Sequence, residues 1–152
     1  MIAAKTIAQT LSRTLGEAGY TRRGKTWRLQ RAEVIGVVNL QKSTYSDQHF
    51  LNIGFYLRNQ GDVREPKENQ CHARGRAGGA FPDHEPPVCQ ILDAADDHWN
   101  EAEHEELLAS LIAEDLIPLS TRLVDLAALK SAIGRGELSG WLLTKVAREL
   151  TG

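Results

Sequence analysis

The chain has 152 residues, of which 41% are hydrophobic, 6% aromatic and 25% charged. A compact domain of this length buries roughly 70% of the surface that its unfolded chain exposes, so a single domain over 1–152 needs neither disulfides nor a metal. No apolar run reaches the ~18 residues of a membrane span, and the N-terminal segment has charges where a secretory leader has none. We therefore expect one cytoplasmic domain, without cofactor or membrane contact, whose two cysteines are reduced thiols.

The net charge of −2 hides a very uneven distribution. Residues 1–76 contain thirteen Lys or Arg against six acids, whereas residues 77–121 contain eleven acids and no Lys or Arg. Such a local field influences the choice of partner more than the average charge does. The net acidity and the low aromatic content argue against a nucleic acid as the partner, although the first half alone is basic.

The first predicted element is a helix over residues 1–18. Its apolar residues recur every four positions, as expected for an amphipathic helix that packs one face on a core. Gly16 and Gly19 end this helix. The residues that form its apolar stripe are Ile7, Leu11 and Leu15.

The period of the apolar residues then changes to two, which predicts strands joined by hairpins. A polar turn over 43–48 pairs the second strand with the third. This register places Asn39 near Asn52 on one sheet face, and Gln41 near Phe50. A surface loop over 58–69 follows. The predicted strands cover 27–30, 34–41, 50–57 and, more weakly, 70–76.

Glycines and prolines predict an irregular loop over 78–87, and the apolar run 88–92 suggests a further edge strand. Three C-terminal helices follow. Asn100 and Glu103 form a capping box that opens the first of these, over 101–116, and a proline follows its end. The second and third helices are capped by Ser120 and Ser139, and the second ends at Gly134.

Strands joined by hairpins and separated from the helices along the chain predict an α+β domain. We expect an antiparallel sheet of three to five strands, packed by one N-terminal helix and about three C-terminal helices. The predicted core is Ile7, Leu11, Leu15, Trp27, Leu40, Leu51, Ile53, Phe55, Leu111, Ile112, Leu123 and Val146.

A series of motifs runs from a Gly-Tyr turn after the first helix through an Asn-x-Gln-Lys-Ser strand and an Asn-x-Gly strand to a Cys-His-x-Arg segment. These motifs resemble a bacterial family, the domain of unknown function 4304. The sequence departs from the family pattern at 77–79, where a β-branched residue is expected. The resemblance implies a fold and no catalytic residues. The matching positions are 19–28, 36–43, 50–54, 71–74 and Trp99.

The polar face of the predicted sheet is the first candidate site. Carboxamides and arginines on a sheet face can bind a ligand, and two arginines spaced by two can clamp a phosphate or carboxylate. The alternative is structural, because buried amides need partners, and the acidic segment 93–106 could pair with the arginines. The possible ligand-binding residues are Asn39, Gln41, Asn52, His72 and Arg74, and Arg76 extends the same face.

A metal site is not expected, although four residues with zinc-type side chains fall within nineteen positions. Their spacing is not that of a zinc finger, and the adjacent Cys and His point to opposite faces of a strand. The four residues are Cys71, His72, His84 and Cys89. The sequence also lacks the Walker, G-x-S-x-G and H-E-x-x-H motifs, so an enzyme is less favoured than a binding protein.

The acids around Trp99 are the second candidate site. An acidic surface steers a basic partner, and a large aromatic residue can anchor an interface. The alternative is a solvated helix face whose acids complement the helix dipole. The candidate partner-binding residues are Asp93, Asp96, Asp97, Trp99, Glu103 and Glu106.

These features favour a small protein-binding module, most concretely an immunity-like or antitoxin-like protein. Such a protein neutralises a cognate toxin by binding it directly, and a basic surface on a toxin domain would complement the acidic segment. The alternative is a small-ligand-binding protein or an enzyme that uses the polar sheet face.

Overall fold

The computed structural model describes residues 1–150, which form one six-stranded antiparallel sheet with helices on one of its faces. The strands follow the chain order from one sheet edge to the other. The strands are β1 (Thr21–Arg23), β2 (Thr26–Gln30), β3 (Val34–Lys42), β4 (His49–Leu57), β5 (Ala73–Arg76) and β6 (Leu142–Leu143). The helices are α1 (Ala4–Glu17), α2 (Ala77–Ala80), α3 (Val88–Ile91), α4 (Glu101–Leu111), α5 (Ile117–Leu123), α6 (Leu126–Gly134) and α7 (Lys145–Arg148).

The central hairpin has the predicted register. Asn39 of β3 lies opposite Asn52 of β4, and Gln41 lies opposite Phe50. Because side chains alternate along a strand, one face of the hairpin carries the apolar residues that pack against the helices: Val34, Val38, Leu40, Leu51, Ile53, Phe55 and Leu57. The other face carries Asn39, Gln41 and Asn52 towards one end, and Ile35, Val37 and Tyr56 towards the other.

A single apolar core lies between the sheet and the helices. Trp27, Ile53 and Phe55 of the sheet are at most 1% exposed, and α1 packs against α4 over them. The predicted core is confirmed, with Val146 of the short helix α7 half-buried and packed against it. Among the described residues, no helix has the length and apolar character needed to cross a membrane.

A loop over residues 58–72 covers part of the opposite sheet face. The buried guanidinium of Arg28 donates to the carbonyl of Pro66 at 3.0 Å and ties this loop to the sheet. A Cβ at Gly54 would lie 2.6 Å from the sulfur of Cys71, so only glycine allows this close approach. Beneath the loop is a second, small apolar cluster of Ile35, Val37, Tyr56 and Cys71.

The sheet prediction is correct in type and wrong in size, because it gave three to five strands. Both extra strands lie at the edges. β1 has three exposed residues, and β6 is two residues long, so neither shows a strong apolar alternation. The edge strand predicted at 88–92 is wrong, since Val88–Ile91 forms helix α3. Residues Ala77–Ala80, predicted as irregular loop, form the helical turn α2.

The C-terminal helices differ from the prediction in number and in bounds. The predicted second helix is two helices, α5 and α6, and Leu142–Leu143, predicted within the third helix, forms β6. The capping box of Asn100 and Glu103 is confirmed. However, α4 continues through a π-helical turn (Ile112–Leu116) into α5, and Pro118 lies in the first turn of α5. Pro118 has no backbone N–H to donate, and the π-helical turn directly before it lets the helix continue past this missing hydrogen bond. The helix caps assigned to two serines are also wrong: Ser120 is buried inside α5, and Thr144, not Ser139, caps the last helix.

Candidate functional site

Three adjacent strands bring the polar residues of the sheet face together. Asn52 of β4 lies opposite Asn39 of β3 on one side and opposite Arg76 of β5 on the other. Gln41 lies two residues further along β3, on the same face as Asn39. The sheet register therefore builds one polar cluster from distant parts of the sequence.

Asn52 is the centre of this cluster. Asn52 is only 8% exposed. Its amide nitrogen donates to Oδ1 of Asn39 at 3.2 Å and to Oε1 of Gln41 at 3.0 Å. Its Oδ1 accepts from Nε of Arg76 at 3.2 Å. The amide nitrogen and the amide oxygen of Asn52 thus both have partners within the protein, so Asn52 positions its neighbours.

Arg76 is the exposed arginine of this cluster. Its Nη2 donates to Oε1 of Gln41 at 3.3 Å, and its guanidinium carbon lies 4.2 Å from the ring centroid of Phe50. Arg76 forms no ion pair with any carboxylate among residues 1–150. Because Arg76 is exposed, the N–H groups of its guanidinium that have no partner in the protein are accessible to a ligand.

Arg74, two residues earlier on the same face, forms an ion pair with Glu68. Nε and Nη2 of Arg74 donate to the two carboxylate oxygens of Glu68 at 3.1 and 3.3 Å. The hydrogen bond with Glu68 raises the pKa of Arg74. The expected pairing of the arginines with the acidic segment 93–106 is therefore wrong, because the loop over 58–72 supplies the acid instead.

His72 lies near the cluster but has a structural task. Its Nδ1 accepts a hydrogen bond from the backbone N–H of Leu57 at 2.9 Å, and its ring packs on Tyr56 with centroids 4.9 Å apart. Burial lowers the pKa of His72, which keeps the imidazole neutral at pH 7. The side chain thus fastens β5 to the end of β4.

A groove of about 470 Å³ lies over this polar face. Gln41, Asn52, Glu68, Arg74 and Arg76 line it from the sheet and the loop. A second groove, of about 310 Å³, shares lining residues with the first at Gly75, Arg76, Gly79 and Gly140, and also contacts Trp141. The two grooves therefore meet at the edge of the sheet, where β6 pairs only with Ala73 and Arg74 of β5.

The acidic candidate residues divide into two groups, and the first group is used within the protein. Oδ1 of Asp93 accepts from the N–H of Ala95 at 3.1 Å. Asp96 accepts from the N–H of His98 at 2.9 Å, and this hydrogen bond lowers the pKa of Asp96. Both carboxylates thus fix the turn before α4. Glu103 also has a structural part, since it completes the capping box with Asn100.

The second group forms a shallow surface groove of about 390 Å³ beside Trp99. It is lined by Trp99, Glu103, Glu106, Leu107 and Ser110. The indole of Trp99 is half-buried and meets the ring of His104 edge-on, with centroids 5.2 Å apart. One face of Trp99 therefore rests on the core, and the residue also borders the acidic groove.

The acids of residues 77–121 are not neutralised by lysine or arginine within the described part of the chain. Two of them contact histidine rings instead: Asp96 lies 3.0 Å from Nδ1 of His98, and Asp115 lies 3.3 Å from Nε2 of His84. Asp97 and Glu106 are exposed and have no side-chain hydrogen bond to residues 1–150. These carboxylates therefore give the solvent-facing surface a negative electrostatic potential.

The four residues with zinc-type side chains do not come together in the described part of the chain. The thiol of Cys71 is buried against the carbonyl of Lys67, and burial raises the pKa of Cys71 to about 12. Cys89 is exposed. Within residues 1–150, no three His, Cys, Asp or Glu side chains are grouped so that they could hold a metal ion.

The sequence does not predict one residue of the polar cluster, Glu68. Alternation along the strand does place Arg76 on this face, although the sequence favours Arg74 as the functional arginine. Glu68 lies in a loop without a periodic pattern, so no local signal could place it beside Arg74. The signal for Arg76 was the strand register itself, which puts it opposite Asn52.

Comparison with known proteins identifies a family. The family described as domain of unknown function (DUF4304) matches residues 11–118. This range runs from within α1 to the start of α5, and it includes the predicted residues of both candidate sites. No curated protein and no solved structure matches the chain. The chain belongs to the DUF4304 family.

Proposed function

We propose that this protein is a non-catalytic binding module for a protein partner with a basic surface. In its most concrete form it is a bacterial, cytoplasmic immunity-like or antitoxin-like protein that neutralises a toxin by direct binding. The observation that carries the proposal is the groove beside Trp99, because an aromatic side chain there borders acids that no lysine or arginine neutralises.

The two kinds of side chain would contribute in different ways. Exposed carboxylates such as Asp97 and Glu106 attract a positively charged surface over a distance of about one Debye length, and so increase the association rate. Trp99 supplies apolar area at the centre of the contact and so slows dissociation. An acid that is already used in a turn, such as Asp96, contributes less to the partner.

The test immobilises this protein and captures its partners from a lysate of the source cells. The variant Asp97→Lys/Glu106→Lys reverses two exposed acids that have no structural hydrogen bond. The control variant Glu33→Lys/Asp62→Lys makes the same charge change at exposed acids outside the acidic segment. Quantitative mass spectrometry should show a protein with a basic surface that wild type and control capture and that the first variant loses.

The proposal is rejected if all three proteins capture the same set in the same amounts. A second variant, Trp99→Ala, should bind the same partner with faster dissociation. Because Trp99 also packs on His104, circular dichroism must first show that this variant is folded.

A further inference from the structure

We propose that the polar sheet face binds the phosphate group of a small organic phosphate through Arg74 and Arg76. This site shares no residue with the groove beside Trp99. It goes beyond the proposed protein-binding function, and either proposal can fail without the other.

Arg76 is held so that one edge of its guanidinium remains free. In an arginine, Nε–H and one N–H of Nη2 point to the same side, and here both contact acceptors of the protein, Asn52 and Gln41. The opposite edge, formed by Nη1 and the second N–H of Nη2, has no hydrogen-bond partner among residues 1–150. The ring of Phe50, 4.2 Å away, further restricts the guanidinium. A donor pair that is fixed before binding loses less conformational entropy when it binds an anion.

Arg74 repeats this arrangement. Glu68 occupies its Nε and Nη2 side, which again leaves the other edge of the guanidinium without a partner in the described chain. The two arginines are two residues apart on one strand, so they point to the same face with Cα atoms roughly 7 Å apart. Both line the same groove.

The charge of the groove favours an anion. Glu68 balances Arg74, whereas no carboxylate pairs with Arg76, and so the three side chains together carry one surplus positive charge. The groove volume of about 470 Å³ lies within the range of small-molecule sites.

The presence of two separate donor edges favours phosphate over carboxylate. A carboxylate has one planar edge and matches one guanidinium, whereas the tetrahedral phosphate presents different oxygen pairs to two of them. The adjoining groove of about 310 Å³ gives room for the organic part of the ligand, beside Trp141. Gly75 allows the indole of Trp141 to pack directly on the strand, because a Cβ at this position would come within 2.5 Å of the indole.

The test uses inorganic phosphate as the probe and the arginine Nε–Hε signals of ¹⁵N-labelled protein as the readout. Sodium phosphate is titrated at pH 7.5 while sodium chloride holds the ionic strength constant. We expect saturable shifts of the Arg74 and Arg76 signals. Arg76→Lys keeps the charge but loses the fork of N–H donors, so it should weaken binding by about tenfold or more. The matched control Arg13→Lys changes an exposed arginine of α1 and should leave the affinity unchanged.

Three results would overturn the proposal. Shifts that grow linearly without saturation would show that there is no site. Equal affinity in wild type and Arg76→Lys would show that only the general charge attracts phosphate. Acetate that binds as tightly as phosphate would replace the phosphate by a carboxylate as the ligand. Arg74→Lys should weaken binding in the same way, and provides the test should Arg76→Lys not fold.

Discussion

Replacement of Asn52 by alanine tests the hydrogen-bond network at the centre of the polar face. The side chain makes three hydrogen bonds, which join Asn39, Gln41 and Arg76 across three strands. Alanine removes all three and keeps the strand backbone. If the cluster stabilises the sheet, the variant must unfold more easily than wild type.

The expected loss is about 1–2 kcal/mol. Three hydrogen bonds at about 1 kcal/mol each set an upper value near 3 kcal/mol. Gln41 and Arg76 are exposed and Asn39 is half-buried, so water can replace part of what their side chains lose. A domain of this size loses roughly 2–4 °C of Tm for each kcal/mol.

Urea denaturation followed by circular dichroism measures the free energy of unfolding directly. The matched control is Asn69→Ala, because Asn69 is exposed and has no side-chain hydrogen bond within residues 1–150. Equal midpoints for wild type, control and Asn52→Ala would refute the structural role of the network. If Asn52→Ala kept its stability but lost phosphate binding, Asn52 would instead act by positioning Arg76.

Three further predictions concern the core, the thiols and the dependence of stability on pH. Phe55→Ala should lower the free energy of unfolding in urea by about 3–5 kcal/mol, because Phe55 is fully buried, and a loss below about 1 kcal/mol would contradict this packing. Cys89 should react rapidly with a thiol reagent at pH 8 while Cys71 should not, since burial raises the pKa of Cys71 from 9.0 to about 12; equal rates would contradict the burial. Burial raises the pKa of Tyr20 to about 12 as well, so the folded protein holds the protons of Cys71 and Tyr20 more tightly than the unfolded chain does. The stability that these two protons contribute is complete below about pH 9 and is lost as the pH rises towards 12. Urea midpoints that stay constant from pH 8 to 11 would contradict this.

The elements that could be predicted from the sequence are those with a strong local period. The alternation of apolar residues fixes both faces of β3 and β4, and the hairpin turn then fixes the register that pairs Asn39 with Asn52. Helix α1 and the cap at Asn100 are also local features.

The errors arise where tertiary contacts override a weak local signal. The apolar run 88–92 is too short for its period to distinguish a strand from a helix, and packing on α4 selects α3: buried His104 donates from Nε2 to the carbonyl of Ile91 at 2.8 Å. Pro118 ends a helix in isolation, but a π-helical turn allows the chain to continue. For the polar site, the position of Glu68 depends on how the loop folds back over the sheet, which no local pattern encodes.

The association rate of the captured partner, measured against ionic strength, tests the proposed function most directly. The Debye length shortens from about 10 Å at 0.1 M salt to about 3 Å at 1 M. As salt is added, the association rate of the wild type should therefore fall steeply, while the dissociation rate changes little. Asp97→Lys/Glu106→Lys should associate slowly at low salt and show a weaker salt dependence, whereas Glu33→Lys/Asp62→Lys should behave like wild type. If wild type and both variants had the same association rate at every salt concentration, the acidic surface beside Trp99 would not be the site of partner recognition.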